Sequence, residues 1–210
     1  FCMNEQMKIA CLDLEGVLIP EIWTNLAEKT GIEALKLTTR DIANYDELMG
    51  KRLELLDEHG LTLKDLQEVV ATMDPLEGAR DFLEWLQDQV EVIILSDTFR
   101  EFAMPLIAKL GNPTVFCHSL SVDYETYRIK DYVLRQIDQK RKAVIALKGL
   151  NFRVLSMGDS YNDLSMLEEA DAGIFFKPTK KIIEEFPQFP VTENYQELKC
   201  HLCSAHGFRR

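Results

Sequence analysis

Short apolar runs alternate with longer amphipathic segments along most of this chain. Runs at residues 8–12, 90–95 and 152–157 predict buried strands of a parallel sheet, because such strands are covered by helices on both faces. A further run at residues 173–176 predicts the strand that closes the sheet. Residues 114–123 and 125–136 predict short strands that pair antiparallel or lie at a sheet edge. The pattern predicts an α/β fold with a Rossmann-like, mostly parallel sheet.

A block without strand signals follows the first strand. Between Thr38 and Met73, apolar residues recur at helical spacing, with Gly60 ending one helix and Thr62 capping the next. Asp74-Pro75 then breaks the chain before the strand-and-helix alternation resumes. The chain is therefore predicted to divide into a discontinuous core at residues 7–20 and 76–205, an inserted all-helical cap domain at residues 21–75, and an N-terminal extension at residues 1–6.

Composition excludes several classes of protein. The 35 acidic and 24 basic residues give a formal net charge of −11, which argues against a nucleic-acid partner. The chain has no run approaching the ~20 apolar residues of a membrane span, and residues 1–6 do not resemble a signal peptide. Five scattered cysteines, an odd number, fit a reducing compartment, so a cytoplasmic protein is expected. Cys200, His201, Cys203 and His206 suggest zinc only weakly, and an amphipathic C-terminal tail is the favoured interpretation.

Polar side chains gather where the predicted parallel strands end. The first strand is followed by Asp13, Glu15 and Gly16, and taken alone this could be a solvated acidic turn. The other two strands end in further polar residues, namely Ser96, Asp97, Asp159, Asn162 and Asp163. Lys140 precedes the helix before the third of these strands. Because parallel strands present their carboxyl ends at one edge of the sheet, these side chains are expected to meet there.

Such a set of groups suits phosphoryl transfer. Carboxylates such as Asp13 and Asp159 are the oxygen ligands that Mg²⁺ prefers, and Mg²⁺ commonly keeps sites open for phosphate. The Ser96 hydroxyl and the Lys140 ammonium could hold phosphoryl oxygens, since catalysis of this reaction is mostly positioning and electrostatics. A carboxylate can also be the nucleophile and form an aspartyl phosphate.

Four ordered motifs resemble those of the haloacid-dehalogenase-like phosphatases. They are Asp-Leu-Glu-Gly-Val at 13–17, Ser-Asp-Thr at 96–98, Lys140, and Gly-Asp-Ser-Tyr-Asn-Asp at 158–163. The likeness spans residues 8–176 and includes the helical cap after the first motif. Within this family the chain is most similar to phosphoserine phosphatases, and among those to the bifunctional phosphoserine phosphatase and phosphoserine:homoserine phosphotransferase subgroup. The first motif and Glu21-Ile22-Trp23 point to that subgroup.

The resemblance implies a role for each matching residue. Asp13 would be the nucleophile, Glu15 the general acid and base, and one Mg²⁺ per chain would be held by Asp13, Asp159 and the main-chain carbonyl of Glu15. The remaining implied site residues bind substrate or support the site, and they are Gly16, Glu21, Arg52, Ser96, Asp97, Lys140, Asn162 and Asp163. Of these, Ser96 and Lys140 would contact the phosphoryl group, Arg52 the substrate carboxylate and Glu21 its ammonium.

Three of these assignments have plain structural alternatives, and for Asp163 the alternative is an acid at a helix N-terminus, where the helix dipole favours it. Lys140 could be a solvated residue at a helix start, with Lys142 as a nearby competitor. Arg52 lies on the apolar stripe of Tyr45, Met49 and Leu56, where its stem could pack while its head reaches water. In the functional interpretation, the Arg52 guanidinium points across the cleft between cap and core and binds a carboxylate of the substrate.

Glu15 departs from the family pattern, in which aspartate is usual two residues after the nucleophile. The longer side chain could slow the activation of water and leave time for another hydroxyl to take the phosphoryl group. The expected function is therefore an enzyme acting on phosphoserine, with homoserine as a second acceptor and no membrane or nucleic-acid partner. A phosphatase for another small phosphoester and a non-catalytic phosphometabolite binder are the alternatives, and a homodimer is left open.

Overall fold

A seven-stranded sheet runs through the computed structural model, which describes residues 6–38, 41–42 and 44–209. The strands are β1 (Lys8–Leu12), β2 (Glu91–Phe99), β3 (Val115–Asp123), β4 (Arg128–Val133), β5 (Arg153–Gly158), β6 (Ala172–Phe176) and β7 (Val191–Thr192). Their order across the sheet is β4-β3-β2-β1-β5-β6-β7. β1 lies centrally and pairs in parallel with β2 and β5, as the buried apolar runs predict.

One edge of the sheet agrees with the prediction, and the other does not. β3 and β4 pair antiparallel at one edge, which confirms the predicted edge strands, while β3 also runs parallel to β2. β6 does not close the other edge, because β7 pairs in parallel with it after the Pro-rich loop. The prediction that residues 173–176 form the last strand was therefore wrong, since a two-residue strand leaves almost no periodic signal.

Helices cover both faces of the sheet, and the first three helices lie in the block between β1 and β2. They are α1 (Ile22–Thr30), α2 (Tyr45–Glu58), α3 (Leu63–Ala71), α4 (Ala79–Gln87), α5 (Arg100–Lys109), α6 (Gln139–Gly149), α7 (Leu164–Glu169), α8 (Lys180–Glu185) and α9 (Tyr195–His206). Alternate residues of β1 enter two apolar clusters: Ala10 and Leu12 join the cluster of α4, α5 and α9, while Ile9 and Cys11 join that of α6, α7 and α8. This alternation follows from the two-residue repeat of a strand, and it confirms the α/β fold class.

The C-terminal segment is more than an amphipathic tail. α9 buries Leu198 and Leu202, and the Tyr195 ring stacks between Phe82 and Phe176 at centroid distances of 5.1 and 4.7 Å. Its Cys and His side chains do not come together as a metal-binding group within the described residues. The helix therefore belongs to the core of the α/β layer.

The helical block between β1 and β2 has the form expected of an insertion. α1, α2 and α3 follow one another without a strand, and the main-chain N–H of Leu76 donates to the carbonyl of Leu18 at 3.0 Å. The chain thus leaves and re-enters the sheet layer at adjacent points. The Arg128 guanidinium of β4 pairs with Asp57 of α2 at 2.7 and 2.8 Å, so the block also rests on the β3–β4 hairpin. The division into core and cap stays a prediction, and residues 1–5 of the predicted extension lie outside the described residues.

Local interactions at the termini of the cap helices explain why these helices begin and end where they do. Asn44 accepts a hydrogen bond from the main-chain N–H of Glu47 at 3.0 Å, and Thr62 and Asp65 form a capping box. α1 ends at Gly31, whose left-handed backbone satisfies the last turn. Among the described residues, no helix is long and apolar enough to cross a membrane.

Candidate active site

The loop after β1 holds the first of the predicted site residues. The main-chain N–H of Asp13 still donates to Met157 of β5 at 2.9 Å, so Asp13 stands at the very end of the paired strand. Its carboxylate accepts the N–H of Leu14 at 2.7 Å and is only 4% exposed. Gly16 then turns the chain with φ +78°, a conformation that other residues adopt at a cost.

Lys140 lies at the centre of the acidic residues and not in water. Its ammonium nitrogen is 2.8 Å from Asp13 Oδ1, 2.7 Å from Asp163 Oδ1 and 3.8 Å from Asp97 Oδ2, and the side chain is 3% exposed. Lys140 is in the first turn of α6 and not before the helix, which corrects the predicted boundary. Lys142 is exposed, so the structure brings Lys140 to the site and leaves its neighbour outside.

The charges around Lys140 shift one another's protonation. Burial raises the pKa of Asp13 well above its usual value, and repulsion from Asp163 adds to this, against the attraction of Lys140. Burial works against the charged form of Lys140, but the surrounding carboxylates outweigh it and raise the pKa of that ammonium. One ammonium therefore does not neutralise this group of carboxylates.

A divalent cation fits the same place. Carboxylate oxygens of Asp13, Asp159 and Asp163 all lie within 4.8 Å of one another. Burial and the neighbouring Asp163 raise the pKa of Asp159 to about 7, as expected for a carboxylate lacking a cation. A Cβ at Gly16 would lie 2.4 Å from Asp159 Oδ2, so the glycine leaves room for this carboxylate. Hard oxygen donors in this arrangement suit Mg²⁺.

Both carboxylate oxygens of Asp163 accept hydrogen bonds from other groups of the protein. Oδ1 accepts from Lys140, while Oδ2 accepts from the main-chain N–H groups of Asp159 at 2.9 Å and Ser160 at 3.2 Å. Asp163 thus holds Lys140 and the loop after β5, and its supporting role in the site stays a prediction, as does the binding of a cation by Asp13 and Asp159.

Glu15 faces the cap side of the same loop. Its Oε2 accepts from the main-chain N–H of Ile22, the first residue of α1, at 2.9 Å. Burial raises the pKa of Glu15 to about 8, and the nearby carboxylate of Glu21 adds to the shift. The carboxyl group is therefore mostly protonated at neutral pH, which suits a general acid. That its main-chain carbonyl binds metal stays a prediction.

Arg52 points into the protein and does not reach water. Its guanidinium donates to the carbonyl of Leu37 at 2.8 Å and lies 4.3 Å from the centre of the Trp23 ring. Its Nε is buried without a hydrogen-bond partner in the described part of the chain. Burial lowers the pKa of Arg52 to about 10, so it stays charged at neutral pH. The side chain thus keeps donor capacity at the wall of a cavity.

β2 runs through Ser96, Asp97 and Thr98 to Phe99, so the strand extends one residue beyond the polar cluster in which it was predicted to end. The Ser96 hydroxyl oxygen accepts from the main-chain N–H of Thr98 at 3.2 Å, which leaves its own proton free to donate. Asp97 faces the exposed side chain of Asn162, whose Nδ2 is 3.5 Å from Asp97 Oδ2.

Most of these groups line one cavity of about 990 Å³. The predicted site residues along its wall are Asp13, Glu15, Glu21, Arg52, Ser96, Asp97, Lys140, Asp159 and Asn162. The lining also includes residues that were not predicted as site residues, among them Trp23, Tyr45, His118 and Gln139. Gln139 adjoins Lys140 in sequence, whereas nothing in the sequence pointed to His118. A buried aspartate, a lysine ammonium, a glutamate with a raised pKa and a cluster of carboxylates thus lie in or beside one cavity.

Comparison with known proteins agrees with this geometry. The family model described as haloacid dehalogenase-like hydrolase matches residues 7–171. A protein named phosphoserine phosphatase ThrH, from Pseudomonas aeruginosa, is 59% identical over 193 residues, which are 92% of this chain and 94% of that protein. A phosphoserine phosphatase from Pseudomonas syringae is 58% identical over 92% of this chain and 81% of its own length.

Solved structures support the fold. One described as a phospho-aspartyl intermediate analogue of phosphoserine phosphatase superposes with a TM-score of 0.75 at 20% identity, over 94% of this chain and 99% of that one. Since the family model covers most of the chain, the chain belongs to the haloacid dehalogenase-like hydrolase family.

Proposed function

We propose that this chain is a Mg²⁺-dependent phosphoserine phosphatase that also transfers the phosphoryl group from phosphoserine to homoserine. The observation that carries the proposal is a buried Asp13 carboxylate 2.8 Å from the Lys140 ammonium, in one cavity with Glu15 and Arg52. Burial raises the pKa of Glu15 to about 8, which supports its role as a general acid. Relatives at 59% and 58% identity bear the name phosphoserine phosphatase, which supports the substrate.

Phosphoserine binds with its two ends on different elements. The Ser96 hydroxyl and the Lys140 ammonium hold the phosphoryl oxygens at the sheet, while Arg52 holds the carboxylate from the cap and Glu21 the ammonium. Asp13 and Asp159, with the Glu15 carbonyl, would hold one Mg²⁺, which when bound neutralises charge on the phosphoryl oxygens. The cap excludes water from this enclosure.

The reaction has two halves with the same residues. Asp13 Oδ attacks phosphorus in line, the bond to the serine oxygen breaks, and Glu15 gives its proton to that oxygen. The phosphoryl group now rests on Asp13 as an acyl phosphate. The oxygen of an acceptor hydroxyl then bonds to phosphorus while Glu15, now a carboxylate, takes the hydroxyl proton. The bond between phosphorus and the Asp13 oxygen breaks, which restores the Asp13 carboxylate.

The attacking hydroxyl decides the product. Water gives phosphate, and the hydroxyl of homoserine gives phosphohomoserine. Serine and homoserine differ by one methylene, which a pocket distinguishes by only ~1–3 kcal/mol, so one site can accept both. The longer Glu15 supports this proposal, because its carboxyl must fold back to reach a small nucleophile such as water.

Two alternatives remain as competing outcomes. A phosphatase for another small phosphoester would use the same sheet residues, with Arg52 serving only to pack Trp23. A non-catalytic phosphometabolite binder would need neither a nucleophile nor a general acid, so the buried Asp13 and the raised pKa of Glu15 argue against it.

One assay separates these functions. The protein is incubated with Mg²⁺, phosphoserine labelled at phosphorus, and homoserine, and free phosphate is separated from phosphohomoserine. Label in both products is the expected result. Label in phosphate alone would refute the transferase half, and cleavage of p-nitrophenyl phosphate without cleavage of phosphoserine would refute the substrate. No cleavage of either compound would favour the binder.

A further inference from the structure

Asp97 places a negative charge where a phosphate is proposed to bind. Its side chain is 39% exposed and lines the cavity, beside Ser96 in sequence and 3.8 Å from Lys140. Burial opposes its ionisation, but Lys140, His118 and Gln139 outweigh this and hold the pKa of Asp97 well below its usual range. The cavity therefore contains a permanent carboxylate that the phosphoryl chemistry does not use.

The two oxygens of Asp97 have different surroundings. Oδ1 accepts from Gln139 Nε2 at 2.9 Å and lies 3.5 Å from His118 Nε2. Within the described residues, Oδ2 has only the longer contacts with Asn162 at 3.5 Å and Lys140 at 3.8 Å. Oδ1 is thus held by the protein, while Oδ2 keeps acceptor capacity facing the cavity.

His118 is fixed so that it can donate to Asp97. It is 4% exposed on β3, and its Nδ1 accepts the main-chain N–H of Arg135 at 3.1 Å. A neutral imidazole has one donor and one acceptor nitrogen, so its Nε2 carries the proton and faces Asp97. The backbone of Arg135 therefore selects the tautomer that binds the carboxylate.

Gln139 is oriented in the same way. Its Oε1 accepts from Arg135 Nη2 at 2.6 Å and Nε at 3.2 Å, which leaves the amide N–H groups for Asp97 and the carbonyl of Ser96. The residue is buried beside Lys140 in the first turn of α6. One network of buried groups therefore sets the position of the Asp97 carboxylate.

A substrate with a positive charge would complete this site. Lys140 is shared with Asp13 and Asp163 at shorter distances, so it does not cancel the charge of Asp97. A phosphate arriving alone would be repelled by this carboxylate. A phosphorylated amino acid brings an ammonium with three N–H donors, which a free carboxylate oxygen can accept.

We propose that Asp97 is a specificity-determining residue that accepts a hydrogen bond from the substrate ammonium, and that His118 and Gln139 are positioning residues for it. This inference rests on the proposed function and deepens it, because it names the group that selects amino-acid phosphoesters. Glu21 on the cap lines the same cavity and is the other carboxylate proposed for this ammonium.

The test compares two substrates that differ only in the amine. Phosphoserine and 3-phosphooxypropanoate, which has hydrogen in place of the ammonium, are assayed with the wild type, Asp97→Asn, His118→Asn and His118→Gln. The preference for phosphoserine is measured as the ratio of the two kcat/KM values. Because a charge-assisted hydrogen bond is lost, we expect Asp97→Asn to lower this ratio by about 10- to 100-fold. The loss should be mainly in KM for phosphoserine.

The His118 variants test the positioning role. Asparagine offers a polar group near the Nδ1 position but no donor toward Asp97, whereas glutamine reaches the Nε2 position. His118→Asn should therefore lower the preference by about 3- to 10-fold, and His118→Gln should restore most of it. Asp88→Asn, the same chemical change at an exposed site at the end of α4, is the matched control.

Each contrary result has a distinct meaning. If Asp97→Asn keeps the wild-type preference while both substrates are cleaved, Asp97 does not bind the ammonium and the inference is wrong. If His118→Asn matches the wild type while Asp97→Asn does not, the positioning role is wrong. If the wild type cleaves p-nitrophenyl phosphate but not phosphoserine, the proposed function itself fails and the inference fails with it.

Discussion

The ammonium nitrogen of Lys140 lies 2.8 Å from Oδ1 of Asp13, and both side chains are almost completely buried. The same nitrogen lies 2.7 Å from Asp163, so one cation serves two buried carboxylates. Breaking such a pair from one side leaves an uncompensated buried charge, which costs more than the pair itself contributes. Lys140 is therefore expected to matter for stability as well as for phosphate binding.

Lys140→Met should lower the free energy of unfolding by about 3–5 kcal/mol and abolish phosphoester cleavage. Urea unfolding without divalent metal measures the first effect, and phosphate release with Mg²⁺ measures the second. Lys142→Met is the control, because this neighbour is exposed and should alter neither quantity. Equal behaviour of the two variants would contradict the assignment of Lys140 to the site.

Gly16→Ala should reduce Mg²⁺-dependent activity by about 100-fold, because the new Cβ would lie 2.4 Å from Asp159 Oδ2 and displace that carboxylate. Gly31→Ala is the matched control: its φ is +73° against +78° at Gly16, but nothing lies within 4 Å of its Cβ position. It should lose only about 1–2 kcal/mol of stability through backbone strain. The measurement is activity against Mg²⁺ concentration, and equal losses in both variants would mean that strain alone is responsible.

Glu15→Asp should raise the ratio of hydrolysis to transfer. The shorter carboxyl follows the usual family pattern, and it should reach water without folding back toward the N–H of Ile22. The labelled-phosphoserine assay with homoserine measures this ratio directly. Glu15→Gln, which cannot exchange a proton, should slow both outcomes by about 10²- to 10⁴-fold without changing their ratio. An unchanged ratio in Glu15→Asp would remove the proposed reason for transfer.

The stability advantage of the wild type over Asp97→Asn should depend on pH. The native surroundings lower the pKa of Asp97 below its unfolded value, so its contribution is present above about pH 4 and is lost as pH falls through the native pKa. The free energy of unfolding of both proteins is measured with urea at pH 6 and pH 3. The difference in this free energy between the wild type and Asp97→Asn should be smaller at pH 3. The exposed Asp88→Asn should show no such narrowing, and a constant difference for Asp97→Asn would contradict the ionic contacts of Asp97.

Local sequence was sufficient for the elements and for the edge of the sheet where the chemistry lies. Apolar runs of strand length identify β1, β2 and β5, and polar residues at their ends identify Asp13, Ser96 and Asp159, because parallel strands share one carboxyl edge. Helix ends were also readable at Gly31 and Thr62, since caps are local interactions between neighbouring residues.

Tertiary structure alone decided which neighbours entered the cavity. Lys140 and Lys142 are two residues apart and lie on roughly opposite faces of α6, so only the packing of that helix selects between them. His118 reaches Asp97 because β3 pairs with β2 in the register that places it beside Phe99. Such contacts join residues distant in sequence, and no local pattern encodes them.

The sequence by itself determined the kind of fold and the polar groups proposed to do the chemistry, because hydrophobic period and strand ends are local properties. The structure decided how these groups affect one another: burial raises the pKa of Glu15 to about 8, and Lys140, with His118 and Gln139, holds the pKa of Asp97 below its usual range. Burial and charge depend on everything packed around a group, so only the folded chain sets them.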